Sequence, residues 1–152
     1  MNILNESRKT ALLLWSLLFL FILRVSGQAS VAFLDLEFLP PMREWYSGLI
    51  PYNLLLTAQI AIIGLMTKIC IDFSRGVGFF IAPKPAFGKP ALYFGYLYLT
   101  AMVIRYILRM TLIPEARWFG GTIPIFFHFV LATFVILFAR YHRNQLHLTG
   151  TQ

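Results

Sequence analysis

Charge is what this chain has least of. Only 12% of its 152 residues are Asp, Glu, Lys or Arg, about half the roughly 25% of a soluble globular domain. The polar surface that water demands is missing. With 59% of residues hydrophobic, a bilayer is the natural solvent. Cysteine is nearly absent, since Cys70 stands alone. That excludes an intrachain disulfide, a thiol relay within the chain and a cysteine-rich metal site. The apolar runs also lack Asp and Glu. Proton- and cation-coupled transport usually needs such an intramembrane acid.

What the chain does have is apolar runs. Segments at about 11–30, 49–71, 91–112 and 120–141 each approach the roughly 20 residues a spanning helix needs. None alternates with period two, and lipid offers no partner for an open sheet edge. The sequence therefore reads as all-α: one domain over residues 1–152, an integral, multi-pass bundle of four transmembrane helices.

The net charge of +7 sits mostly at run ends. Arg8 and Lys9 precede the first run. Lys68, Arg75, Lys84 and Lys89, against Asp72, mark the second connection, and Arg140 and Arg143 follow the fourth run. The first connection sets Arg43 against Asp35, Glu37 and Glu44, and the third sets Arg117 against Glu115. The basic excess alternates, which places both termini and the second connection in the cytoplasm. Such charge suits anionic headgroups of a cell (inner) membrane rather than nucleic acid. A competing reading takes the first run as a signal peptide, with "VSGQAS" as its small-residue end. Arg24, just before those residues, fits that reading poorly.

The connections differ in character. "APKPAFGKP" is a basic, proline-rich loop, with Pro90 opening the third helix. "FLDLEFLPPMREWYSG" reads as an amphipathic segment lying at the outer interface. "RWFGGTIP" reads as a turn with Thr122 as a helix cap. "RYHRNQLH" reads as a solvated tail in contact with headgroups. Gly95, inside "YFGYLY", permits close approach of a neighbouring helix.

The candidate chemistry lies in the stretch "AMVIRYILRM", where Arg105 and Arg109 stand four apart inside an apolar run. Counted from the cytoplasmic ends, Arg24, Gln59, Arg105 and His128 fall at roughly 18 to 21 Å, at 1.5 Å per residue. Each helix thus contributes one polar residue to a common layer. Arg105 and Arg109 share a helix face with Tyr98 and Met102, which can turn to the bundle interior. The plain reading is that the arginines snorkel or pair with acids on the same side. The functional reading is an anion site of Arg105, Arg109, Arg24 and Arg117, with Gln59 and His128 as neutral neighbours. A lipid phosphate or a fatty carboxylate suits it.

No cofactor or metal is expected. A bis-histidine haem site needs two histidines at membrane depth, and only His128 qualifies, because His142 and His147 follow the last run. Ser47, Thr57, Thr100 and Thr111 are scattered without a base and an orienting acid, so no catalytic constellation is evident. Two functional expectations stand. One is a non-catalytic accessory or oligomeric membrane component, whose partners are lipids, other integral subunits or copies of itself. The other is a protein that binds, moves or modifies an anionic lipid or amphiphile through its arginines.

Overall fold

Every apolar run becomes a helix, and the helices outrun the runs. The computed structural model describes residues 3–34, 38–45, 50–112 and 123–149. Its long helices are α1 (Ile3–Leu34), α3 (Tyr52–Arg75), α4 (Lys89–Leu112) and α5 (Ile123–Thr149). A short helix, α2 (Met42–Trp45), lies in the first connection, and a 3-10 turn (Pro85–Phe87) lies in the second. The four long helices are long and apolar enough to cross a membrane, and the described residues contain no strand.

Helix ends follow local chemistry. Pro51 stands just before α3, and Gly76 ends it in the left-handed conformation at φ 68°, which glycine adopts at no steric cost. Pro90 sits in the first turn of α4 and Pro124 in that of α5, where a missing backbone N–H costs nothing. Thr122 and Arg117 lie outside the described residues, as do Asp35, Glu37 and Glu115.

Packing is a chain of neighbours rather than a closed ring. α1 packs against α3 and α5, and α5 also packs against α4. Among the described elements α4 touches α5 and the 3-10 turn alone. Accordingly 11% of the Pro85–Leu112 span is buried, against 39% of Ile123–Leu148. Between helices in lipid the attraction is mainly dispersion, which rewards small residues at contacts. Gly95 supplies this as expected: a Cβ there would lie 2.7 Å from Ile136 Cγ1 of α5.

α1 runs unbroken through "VSGQAS", and Leu14, Leu18 and Phe21 enter the main core with Met66, Cys70, Phe73, Val130 and Phe134. Residues 11–30 are therefore a helix of the bundle.

The end that carries Lys68, Arg75, Lys84 and Lys89 is the basic end. There Phe73 of α3 meets Tyr141 edge-on at 4.7 Å, and Phe138 meets His142 at 4.5 Å. Phe87 of the 3-10 turn lies 5.3 Å from both Phe138 and His142. This corrects the solvated-tail expectation. α5 continues to Thr149, and His142 is fully buried among rings. Asp72 pairs with Lys68 and accepts the Phe80 N–H at 3.0 Å, which pins the second connection onto α3.

Candidate functional site

At the opposite end, α1 forms the floor between α3 and α5. A cleft of about 120 Å³ lies there. Phe21 and Arg24 come from α1, Leu55, Ala58, Gln59 and Ile62 from α3, and Pro124, Phe127, His128 and Leu131 from α5. The α3 and α5 backbones stand apart, and near the basic end their side chains meet, where Phe73 reaches Phe138 and Tyr141.

A buried hydrogen-bond chain underlies the cleft. Arg24 Nη1 donates to Gln28 Oε1 at 2.5 Å, one turn along α1. Arg24 Nη2 donates to the Trp45 carbonyl at 3.0 Å. Gln59 Nε2 of α3 donates to the same Gln28 Oε1 at 3.1 Å, and Gln28 Nε2 reaches the Trp45 carbonyl at 3.4 Å. Arg24, Gln28 and Gln59 are all buried.

Trp45 brings its carbonyl there because its ring has somewhere to go. A Cβ on Gly27 would lie 2.8 Å from Trp45 Cη2, so only glycine leaves room for the indole. Trp45 Nε1 donates to the Pro40 carbonyl at 2.8 Å, closing the turn before α2. The first connection thus turns its Trp into the bundle instead of laying it along an interface.

On the far side of the cleft, Tyr98 Oη and His128 Nδ1 share a hydrogen bond at 2.5 Å, linking α4 to α5. Arg24 and Arg105 both lie in electrostatic range of His128.

The polar layer read from the sequence is therefore assembled in part. Arg24, Gln59 and His128 line one cleft. Arg105 does not line it and is exposed on α4. The less exposed face of α4 runs Gly95, Leu99, Met102, Tyr106 and Arg109, and Arg105 falls one position aside. Arg109 is half-buried toward the end of the helix. Arg117 lies outside the described residues.

Two site residues escaped the sequence reading, Gln28 and Trp45. Gln28 sits four residues after Arg24 on the same face, and that spacing is a usable signal. It was hidden by the resemblance of "VSGQAS" to a cleavage site. Nothing local marks Trp45, which reaches the site through Gly27.

The arrangement holds a positive charge in a buried place. Arg24 has no carboxylate partner among the described residues. Its Nε and the Gln59 Oε1 are buried without hydrogen bonds, each omission costing about 1–3 kcal/mol. Among the described residues no three His, Cys, Asp or Glu side chains gather as a metal site would require. A second, more open groove at the basic end is lined by Lys89, Arg143 and His147, between α4 and α5. Comparison of the chain with protein-family models, with curated proteins and with solved structures finds no match.

Proposed function

We propose that this membrane protein binds an anionic amphiphile in the cleft between α3 and α5, with the acidic headgroup at Arg24. One observation carries the reading: the polar network does not need Arg24. Gln28 Oε1 keeps the Gln59 Nε2 donor without it, and the Trp45 carbonyl keeps Gln28 Nε2. A buried guanidinium costs about 2.5–3.5 kcal/mol at a helix centre. A group that structure does not require, held at that cost, points to a ligand. The walls are apolar, through Phe21, Leu55, Ile62, Phe127 and Leu131, so hydrocarbon fits beside the headgroup. When the Tyr98 hydroxyl donates to His128 Nδ1, His128 Nε2 carries the ring proton and offers a second donor.

The test is native mass spectrometry of protein extracted in mild detergent. Wild type is expected to carry a phosphate- or carboxylate-bearing species that Arg24→Met loses and Arg105→Leu keeps. Identical lipid complements in wild type and Arg24→Met would overturn the reading.

The orientation proposed puts both termini and the connection between α3 and α4 in the cytoplasm, across a cell (inner) membrane. The alternation of basic residues supports it: Arg8, Lys9, Lys68, Arg75, Lys84, Lys89, Arg140 and Arg143 gather at one end. A reporter fused after Gln152 that reads periplasmic or extracellular would reverse it.

A second reading, an accessory or oligomeric component of a larger assembly, is supported by α4. Tyr93, Phe94, Leu97, Ile104, Ile107 and Leu108 leave its outer faces uncovered. The same native spectra test it, since a stable partner or second copy adds its mass.

A further inference from the structure

We propose that the headgroup held at Arg24 is a phosphomonoester, selected by Gln59, whose side-chain carbonyl accepts the proton such a group still carries. This rests on the anion-binding reading above and names its ligand class.

The orientation of each amide in the network is forced. A guanidinium only donates, so the Gln28 atom that meets Arg24 Nη1 is the carbonyl oxygen. Gln59 approaches that same oxygen and must offer its nitrogen. Gln28 Nε2 in turn faces an acceptor, the Trp45 carbonyl. No amide can flip without setting two donors or two acceptors against each other. Gln59 Oε1 is thereby left as an acceptor with no donor, and Arg24 Nε is left as a donor with no acceptor. Both side chains are more than nine-tenths buried, at 5% and 7% exposure, and both line the cleft.

A ligand group that completes the site must neutralise a cation, accept from it, and donate to a neutral carbonyl. A carboxylate or a phosphodiester only accepts. A protonated carboxylic acid both donates and accepts, but leaves the charge of Arg24 standing. The monoanion of a phosphomonoester does all three, with charged oxygens for Arg24 and a P–OH for Gln59. A lipid phosphomonoester and inorganic dihydrogen phosphate share this head chemistry. The apolar walls favour the lipid.

The discriminating experiment is a native mass-spectrometric titration of the full-length, delipidated protein in mild detergent. The probes are dioleoyl phosphatidic acid, dioleoyl phosphatidylmethanol (a diester with no headgroup hydroxyl), oleate and inorganic phosphate. Wild type is expected to prefer phosphatidic acid over phosphatidylmethanol by about tenfold at about pH 5. That pH lies below the second phosphate ionisation, near pH 6. Near pH 9 the P–OH is gone, and the preference is expected to shrink to about threefold or less. The titratable neighbours of the pair are Tyr52 on α3, His128 on α5 and Tyr98 on α4, with Arg105 as a second charge in range. The two arginines attract the dianion formed near pH 9 more strongly than a monoanion, which works against the expected fall, so a fall in the ratio reports the lost proton. Gln59→Leu is expected to bring the ratio at about pH 5 down to its value near pH 9, because the acceptor for the P–OH is gone. Equal binding of the two lipids to wild type at both pH values, with both lost in Arg24→Met, would overturn the monoester assignment and leave the anion site intact. Binding of every probe unchanged in Arg24→Met would overturn both. Inorganic phosphate binding as tightly as phosphatidic acid would support the head chemistry and assign its source to a soluble ion.

Discussion

Gly95 and Ile136 meet where no side chain fits between them. A Cβ on Gly95 would stand 2.7 Å from Ile136 Cγ1 and 3.4 Å from the Ile136 backbone nitrogen. The backbone nitrogen is already in van der Waals contact at that distance, so a side chain that branches beyond Cβ has no room and pushes α4 away from α5. Among the described helices α4 packs against α5 alone. Gly95→Ile is therefore expected to destabilise the protein by about 1–3 kcal/mol, the usual cost of overpacking, and to expose α4 to proteolysis. Gly64→Ile is the control, since nothing lies within 4 Å of its Cβ position. Thermal unfolding in detergent measures both. Similar losses from the two variants would mean that the close approach at Gly95 does not hold α4 in place.

Trp45 and Gly27 form a second size-matched pair, on which the delivery of the Trp45 carbonyl depends. Trp45→Ala removes a buried indole and the hydrogen bond to Pro40. By analogy with soluble cores the loss is about 3–5 kcal/mol. Gly27→Leu denies the same space from the other side and is expected to displace α2. Both variants should weaken headgroup retention as well as stability, because the Trp45 carbonyl orients Arg24. Trp45→Phe keeps a ring in the slot and is expected to retain the ligand. Ligand retention by Trp45→Ala equal to that of wild type would argue against this coupling.

These pairs show what kind of information the sequence carries. Length and apolarity were legible: four runs gave four helices. Depth was legible too, because residue counts from the basic end brought Arg24, Gln59 and His128 to one cleft. Rotation about a helix axis was not. Arg105 and Tyr106 are adjacent, yet one is exposed and the other half-buried, and an apolar helix with lipid on its outer side gives no amphipathic pattern to tell them apart. His142 was misread for a related reason. The basic residues Arg140 and Arg143 marked the end of the run, but a helix in the headgroup region can continue with one face still packed on rings. Gln28 and Trp45 were hidden because their roles depend on a contact between distant segments, Gly27 with Trp45.

Asp72 carries the second connection. It pairs with Lys68 and accepts the Phe80 N–H, while Gly78, at φ 132°, lets the loop pass close over its carboxylate. Asp72→Leu removes the acceptor and leaves the Phe80 N–H unmet, at about 1–3 kcal/mol. Asp72→Asn keeps an oxygen for Phe80 but sets its amide against Lys68, whose ammonium can turn to solvent, so its cost is expected to be the smaller, at about 1 kcal/mol. Limited proteolysis should cut residues 76–88 faster in Asp72→Leu and near the wild-type rate in Asp72→Asn. Equal rates in the two variants would assign the pinning to the Lys68 pair instead of the backbone bond.

The last prediction separates the cost of Arg24 from its use. Gln28→Leu strips Arg24 Nη1 and Gln59 Nε2 of their shared buried acceptor. A buried donor left without its acceptor costs about 1–3 kcal/mol, and more when it is charged. Arg24→Met removes the charge itself and leaves both of its acceptors with other donors. Its stability is expected to equal or exceed that of wild type, as when buried charges give way to apolar side chains. The double variant Arg24→Met/Gln28→Leu should then be more stable than Gln28→Leu alone, with a coupling of about 1–3 kcal/mol in the cycle. That sign is informative, because a residue kept only for the fold would show the opposite: adding Arg24→Met would deepen the loss. Thermal unfolding of the four proteins in one detergent gives the cycle. Recovery of stability together with loss of the bound anion would mean that Arg24 is retained against the interest of the fold, for the headgroup it holds.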